Sequence, residues 1–277
     1  MKKSISIIMI IPGLVILFVC LFLPLVKVIS PTIFSGNYAM SNYINFFKDD
    51  YYLGIFLRTL RIAAITTVVC GILGVPTAYF ISLCNKKWRG ILLAVSIFPL
   101  MTNSVIRSFA WINILGGSGI VNSFLLKTGI INAPIKLLYS EFAIIIGSVY
   151  LFLPLMIVTV SGVMENISKD LMEAAESLGA GQLKAFMKVV FPLCLPGIIV
   201  GEILVFTGTL TAYTTPQLLG GNKNMVLSTL IYQRAMSLSD WSGAAVISFI
   251  MIVLTLIVIK TFNIIAGKMD KRGENHA

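Results

Sequence analysis

Charge is scarce in this sequence: only 12% of its 277 residues are Asp, Glu, Lys or Arg, against about 25% in an ordinary soluble domain. Histidine is nearly absent. The one copy, His276, sits in the polar tail, so histidine-based metal sites and nucleophile–histidine pairs have no residues to form from. The four cysteines, Cys20, Cys70, Cys84 and Cys194, contain no CxxC pair, and all lie in or at the end of apolar runs. A disulfide framework and a zinc spacing are both excluded, and the thiols read as small hydrophobes within helices. A GxxxxGK[ST] phosphate loop is also lacking, as are low-complexity segments and a convincing internal repeat.

Apolar residues are abundant instead, at 57% of the chain. No compact soluble fold needs that much, so the surplus has to face lipid. A net charge of +10 would suit nucleic acid or an anionic surface, but the charges lie between hydrophobic runs rather than along one basic stripe. Membrane orientation accounts for them, and nucleic acid does not.

A helix needs about 20 mostly apolar residues to cross a bilayer core. Six stretches qualify, approximately 5–29, 59–83, 91–114, 141–161, 192–213 and 244–266. The first follows Lys2 and Lys3, but its apolar run is too long for a signal h-region and no small-x-small site follows it, so it reads as a retained span. Lys and Arg concentrate in the N-terminus, 84–90, 162–191 and the tail. The longer alternate segments hold only Lys48, Arg58, Lys127, Lys136, Lys223 and Arg234. The positive-inside rule then puts both termini in the cytoplasm, with NKKWRG at 85–90 as the clearest marker. The expectation is an all-α, multi-pass membrane protein with 1–277 as one domain.

The connection from Ser161 to Pro196 carries the most information. Ser168 suits a helix N-cap, and Asp170 places a carboxylate in the first turn. Leu171, Ala174, Ala175 and Leu178 recur at i, i+3, i+4 and i+7, which predicts an apolar face on a short helix. Gly179 then stands where a left-handed residue ends it, and a second helix, 182–190, leads to Pro192. An apolar ridge flanked by charge suits docking in a partner's groove. An amphipathic helix resting on headgroups is the alternative, and Glu173 and Glu176 argue against it, because such helices favour Lys and Arg.

Glu173-Ala174-Ala175, three residues, Gly179, nine residues and Val189-Val190-Phe191-Pro192 resemble the EAA signature of ABC importer permeases. Val and Phe replace the usual Ile and Leu before the proline. The resemblance covers about 55–265, with the signature loop at about 162–191, and implies the type I importer permease fold. It implies that the loop fits a cleft of a cytoplasmic ATPase dimer, with Glu173 pairing to a basic residue. Ala174 and Ala175 would permit close contact, Gly179 the turn, and Pro192 the return to the membrane. It further implies a second permease subunit, identical or similar, and an extracytoplasmic substrate-binding protein. The chain itself would be non-catalytic, binding no cofactor, with ATP and Mg used by the separate ATPase.

Pro99, Arg107, Trp111, Gly119 to Asn122, and Thr215 to Gly221 with Trp241 downstream resemble the spermidine/putrescine branch of these permeases. Related permeases carry ferric iron, phosphonates or opine-type compounds, so those solutes remain alternatives, as does an ion-coupled carrier or a membrane scaffold. Where polyamine relatives often place an acid, this sequence has Ala212 and Gln217. Candidate path residues are Glu202, Arg107, Thr207, Thr211 and Tyr213. Glu202 falls inside a span, where a charge costs roughly 3 kcal/mol; it reads either as a wall of the path or as a hydrogen-bonded carboxyl between helices. Arg107 either snorkels, or pairs with Glu202 or Asp240. The threonines either bond back to helix carbonyls or line a wetted cavity.

Overall fold

The structure, a computed structural model, describes residues 12–13, 15–20, 22–27, 30, 32 and 39–274. Among these residues every regular element is helical. In chain order they are α1 (Ala39–Lys48), α2 (Asp50–Leu83), α3 (Lys86–Met101), α4 (Ser104–Leu115), α5 (Ile120–Lys127) and α6 (Glu141–Met164). The remainder are α7 (Lys169–Ser177), α8 (Gln182–Thr211), α9 (Thr214–Gly220), α10 (Leu227–Tyr232) and α11 (Trp241–Glu274). Five stretches are long and apolar enough to cross a membrane: Asp50–Leu83, Ser104–Lys127, Glu141–Met164, Gln182–Thr211 and Trp241–Ile265. Of the expected first span, 5–29, residues 12–13, 15–20 and 22–27 are described and helical, and the rest lie outside the described residues.

One expected span is corrected. The stretch 91–114 is two helices, α3 and α4, divided at Thr102 and Asn103. Asn103 explains the break, because its side chain accepts from the backbone N–H groups of Val105 (2.8 Å) and Ile106 (3.4 Å) and so starts a new helix. At 16 residues, α3 is too short for a full span. A second break at 116–119 separates α4 from α5, and there a β-carbon on Gly119 would meet the carbonyls of Asn113 and Ile114 at 2.6 Å. The fifth span begins earlier than its hydropathy suggests, at Gln182. Just before Pro192 a wide turn, Phe186–Val190, carries the chain, closed by the Phe191 N–H on the Phe186 carbonyl.

The chain divides into two compact units, Met1–Gly54 with Leu230–Val253, and Ile55–Thr229 with Leu254–Ala277. Aromatic contacts hold the first, with Phe46 stacked on Tyr52 at 5.4 Å and Tyr43 edge-on to Phe249 at 5.6 Å. In the second, α6 is the most buried span and packs chiefly against α8. Its Met156, fully buried, is held between glycines: a β-carbon on Gly74 of α2 would meet Met156 Cγ at 2.6 Å, and one on Gly201 of α8 would collide with its sulfur. Phe152 fits the same way over Gly208. Small residues let helices approach where lipid supplies no hydrophobic drive between them. The resulting core runs from Cys70 and Val75 through Met156 and Val160 to Met164, Phe186 and Val190.

Met156→Ala should open a cavity of a kind that costs about 2–5 kcal/mol in cores, and Gly74→Ala should overpack the same point by about 1–3 kcal/mol. Combined, the two changes relieve each other. The double variant should therefore lose less thermal stability in detergent than the sum of the single losses, whereas additive losses would show that the sites do not share this contact.

Candidate functional site

The motif loop is built as a capped helix standing on the bundle. Ser168 caps α7, accepting from the Asp170 N–H at 3.2 Å. At the far end Gly179 adopts φ +84°. Its N–H reaches the Glu176 carbonyl (2.9 Å), and the Ala180 N–H reaches that of Ala175 (3.1 Å). This paired closure needs a left-handed residue, which glycine adopts without cost. Nothing lies within 4 Å of a β-carbon built on Gly179, so conformation and not space demands glycine here.

The exposed side of this loop differs from a simple apolar face turned inward. Leu171, Ala174 and Leu178 are exposed, the last at 89%, with Glu173 and Glu176 beside them, while Ala175 is half-buried. Leu183 and Met187, on the first turns of α8, are exposed as well. Met172 and Ile167 supply the inner contacts, packing on the core with buried Phe186. The Phe186 ring lies 4.4 Å from that of Tyr79 on α2. These three anchors were not read from the sequence. Met172 and Phe186 fall outside the i, i+3, i+4 series, and only the packing of α7 against the first turns of α8 and the core selects them.

Beside the loop, the 84–90 turn is tied in by Arg89. Its guanidinium donates to the carbonyls of Ser82 (2.6 Å) and Cys84 (3.3 Å), closing the end of α2, and pairs with Glu165 at 3.6 Å. Asn85 caps α3, accepting from the Trp88 N–H at 3.0 Å.

Within the spans, Glu202 of α8 lies against Gly71 of α2, where a β-carbon would collide with its carboxyl. It is half-buried and makes no ion pair among the described residues. Thr207, Thr209 and Thr211 donate to the carbonyls of Ile203 (2.7 Å), Val205 (2.8 Å) and Thr207 (2.9 Å), which is the back-bonded arrangement. Thr211 is exposed, Thr207 half-buried, and Tyr213, also half-buried, precedes α9.

Arg107 joins neither Glu202 nor Asp240. It is buried and donates to the Pro99 carbonyl at 2.7 Å and to Thr102 at 3.4 Å, bridging the gap between α3 and α4. Asp240 pairs with Arg234 at 2.7 Å. Asn122, fully buried, holds the second break: it donates to the carbonyls of Gly116 (2.9 Å) and Ile135 (3.0 Å) and accepts from the Ile135 N–H. At the start of α6, Glu141 accepts from Arg58 (3.1 Å) and Arg61 (2.5 Å) together. The one-turn spacing of those arginines is a sequence signal for such a shared partner, which the positive-inside count alone passes over.

Residues 71–272 match the family described as binding-protein-dependent transport system inner membrane component. The spermidine/putrescine transport system permease protein PotB of Escherichia coli (strain K12) is 34% identical over 255 residues, covering 89% of this chain and 92% of that protein. PotB of Haemophilus influenzae is 35% identical over 220 residues, covering 79% and 77%. Among solved structures, a chain of a bacterial alginate ABC transporter in complex with alginate pentasaccharide-bound periplasmic protein matches with a TM-score of 0.81. It is 16% identical, with 97% of this chain and 96% of that chain covered, a likeness of fold. A family match over most of the chain, a shared fold and a capped motif loop agree: this chain belongs to the binding-protein-dependent transport system inner membrane components, multi-pass permeases of the inner membrane.

Proposed function

We propose that the chain is one of the two permease subunits of an ATP-driven polyamine importer, working with a separate ATPase dimer and an extracytoplasmic binding protein. Likeness along nearly the whole chain to permeases named for spermidine and putrescine carries the substrate reading. Chemistry supports it. An alkylammonium ion crossing a low-dielectric region needs an anionic partner, and Glu202 is a carboxyl within a span that makes no ion pair among the described residues. Thr207 and Thr211 spend their protons inside the helix but keep oxygen lone pairs that accept from ammonium N–H groups.

Coupling runs through α7. The N-terminus, 84–90, 162–191 and the tail face the cytoplasm in this reading, as their Lys and Arg content favours. Leu171, Ala174, Leu178 and Glu173 form the surface offered to the ATPase, with Gly179 setting the angle between α7 and α8. ATP binding closes the ATPase dimer and displaces α7. Because Met172 and Phe186 are packed into the same core as Met156, the displacement reaches the helices around Glu202. The path then opens on alternate sides, and hydrolysis in the ATPase resets it.

Cells expressing the complete system should accumulate labelled spermidine or putrescine, and Gly179→Asp should lower uptake more than tenfold while the protein still reaches the membrane. Aspartate tolerates the left-handed region better than most residues, so the fold survives and the new charge tests docking. Uptake equal to wild type in that variant would remove the loop from coupling. Glu202→Gln should reduce the uptake rate about tenfold or more, the size of one charged hydrogen bond. Unchanged uptake in Glu202→Gln would leave the carboxyl a packing element.

A further inference from the structure

An open cavity of about 290 Å³ lies in the first unit, lined among others by Phe46, Asp49, Tyr52, Arg234 and Asp240. None of these residues belongs to the motif loop or to the Glu202 path. Its chemistry is legible from the cation it already contains. The Arg234 guanidinium is centred 5.3 Å from the middle of the Tyr52 ring, and its Nη1 lies 2.7 Å from Asp240 Oδ2. The Tyr52 ring is also stacked with that of Phe46 at 5.4 Å. An aromatic face together with a carboxylate is the arrangement that holds organic cations.

Charge at the site is not used up by Arg234. Each oxygen of Asp240 has a partner, since its Oδ1 also accepts from the Gly243 N–H at 2.9 Å; that backbone bond, followed by Arg234, holds its carboxyl below the usual carboxylate range. Asp49, also on the cavity lining, is exposed and makes no ion pair among the described residues, with Oδ1 accepting from the Tyr51 N–H at 2.8 Å. The cavity thus presents one satisfied carboxylate, one carboxylate without a cation, and an aromatic surface, all beside a tethered guanidinium.

We propose that this cavity is a subsite for an alkylammonium group, in which Arg234 acts as a tethered cation that the solute must displace. This rests on the polyamine reading for the identity of the solute, and adds to it a site separate from Glu202. A diamine is suited to it: one ammonium takes the place of the guanidinium on Tyr52 and Asp240, and the second pairs with Asp49. Arg234 sets the threshold, because binding at Asp240 requires exchange of one cation for another rather than simple addition.

The test uses the assembled transporter, with both permease subunits and the ATPase, in nanodiscs without binding protein, and labelled putrescine as the probe. Arg234→Gln should bind putrescine at least fivefold more tightly than wild type, and Asp49→Asn at least fivefold more weakly. Melting temperatures are measured alongside; if Asp49→Asn melts low, Tyr52→Leu replaces it with the same expected loss. Binding to Arg234→Gln that is equal to or weaker than wild type overturns the proposal, as does binding unchanged in both Asp49→Asn and Tyr52→Leu. Uptake by the wild-type system with its binding protein separates the two ideas. A system that transports no amine defeats the substrate reading, whereas the ordering of the variants in putrescine affinity alone decides the cavity.

Discussion

Met156 of α6 packs against Gly74 of α2 and Gly201 of α8, and the arrangement around it depends on having no side chain at either glycine. In lipid the tails are as apolar as leucine, so helices do not associate by hiding from solvent; they associate by contact. A methionine laid between two glycines supplies that contact, and its thioether adapts to an irregular gap. The same contact places the Glu202 carboxyl, because Gly71 stands one turn from Gly74 on α2 and leaves the space the carboxyl occupies. Glu202 and Met156 are therefore positioned by one glycine-bearing face of α2. Packed interiors shift between discrete arrangements rather than deform smoothly, so movement at one end of this core is felt at the other.

Helix ends impose the second constraint. Backbone N–H and C=O groups within a membrane must find partners inside the protein. The chain meets this at each interruption with a side chain of its own. Asn103 starts α4 and Arg107 reaches back to Pro99 across the gap; Asn122 spans from Gly116 to Ile135; Arg89 closes the end of α2. Arg107, which as an isolated cation in an apolar run invites a transport role, serves as a brace here. Fixed breaks of this kind let α3, α4 and α9 pack around α6 without a continuous third span.

The motif loop combines rigidity and exposure. Its cap at Ser168, its closure at Gly179 and its footing on Phe186 hold α7 in one pose, while Leu178 and Leu183 stay uncovered. With the backbone of α7 already ordered, covering these leucines would cost side-chain freedom but little backbone entropy.

The family, the all-helical class and the cap chemistry of the loop were determined by the sequence itself. Each is a local property: hydropathy over about 20 residues marks a span, Ser168 and Gly179 act on their own backbone neighbours, and the motif is a spacing along the chain. Tertiary structure alone decided that Glu141 of α6 takes both Arg58 and Arg61 of α2, and which residues of the loop face inward. It also decided that Phe46, Tyr52, Arg234 and Asp240, nearly 200 positions apart at the extremes, line one cavity. The physical reason is common to all of these. A lone polar side chain in an apolar run must find a partner, but several partners satisfy the same energetic need, and which one it meets is set by the close approach of helices far apart in the chain.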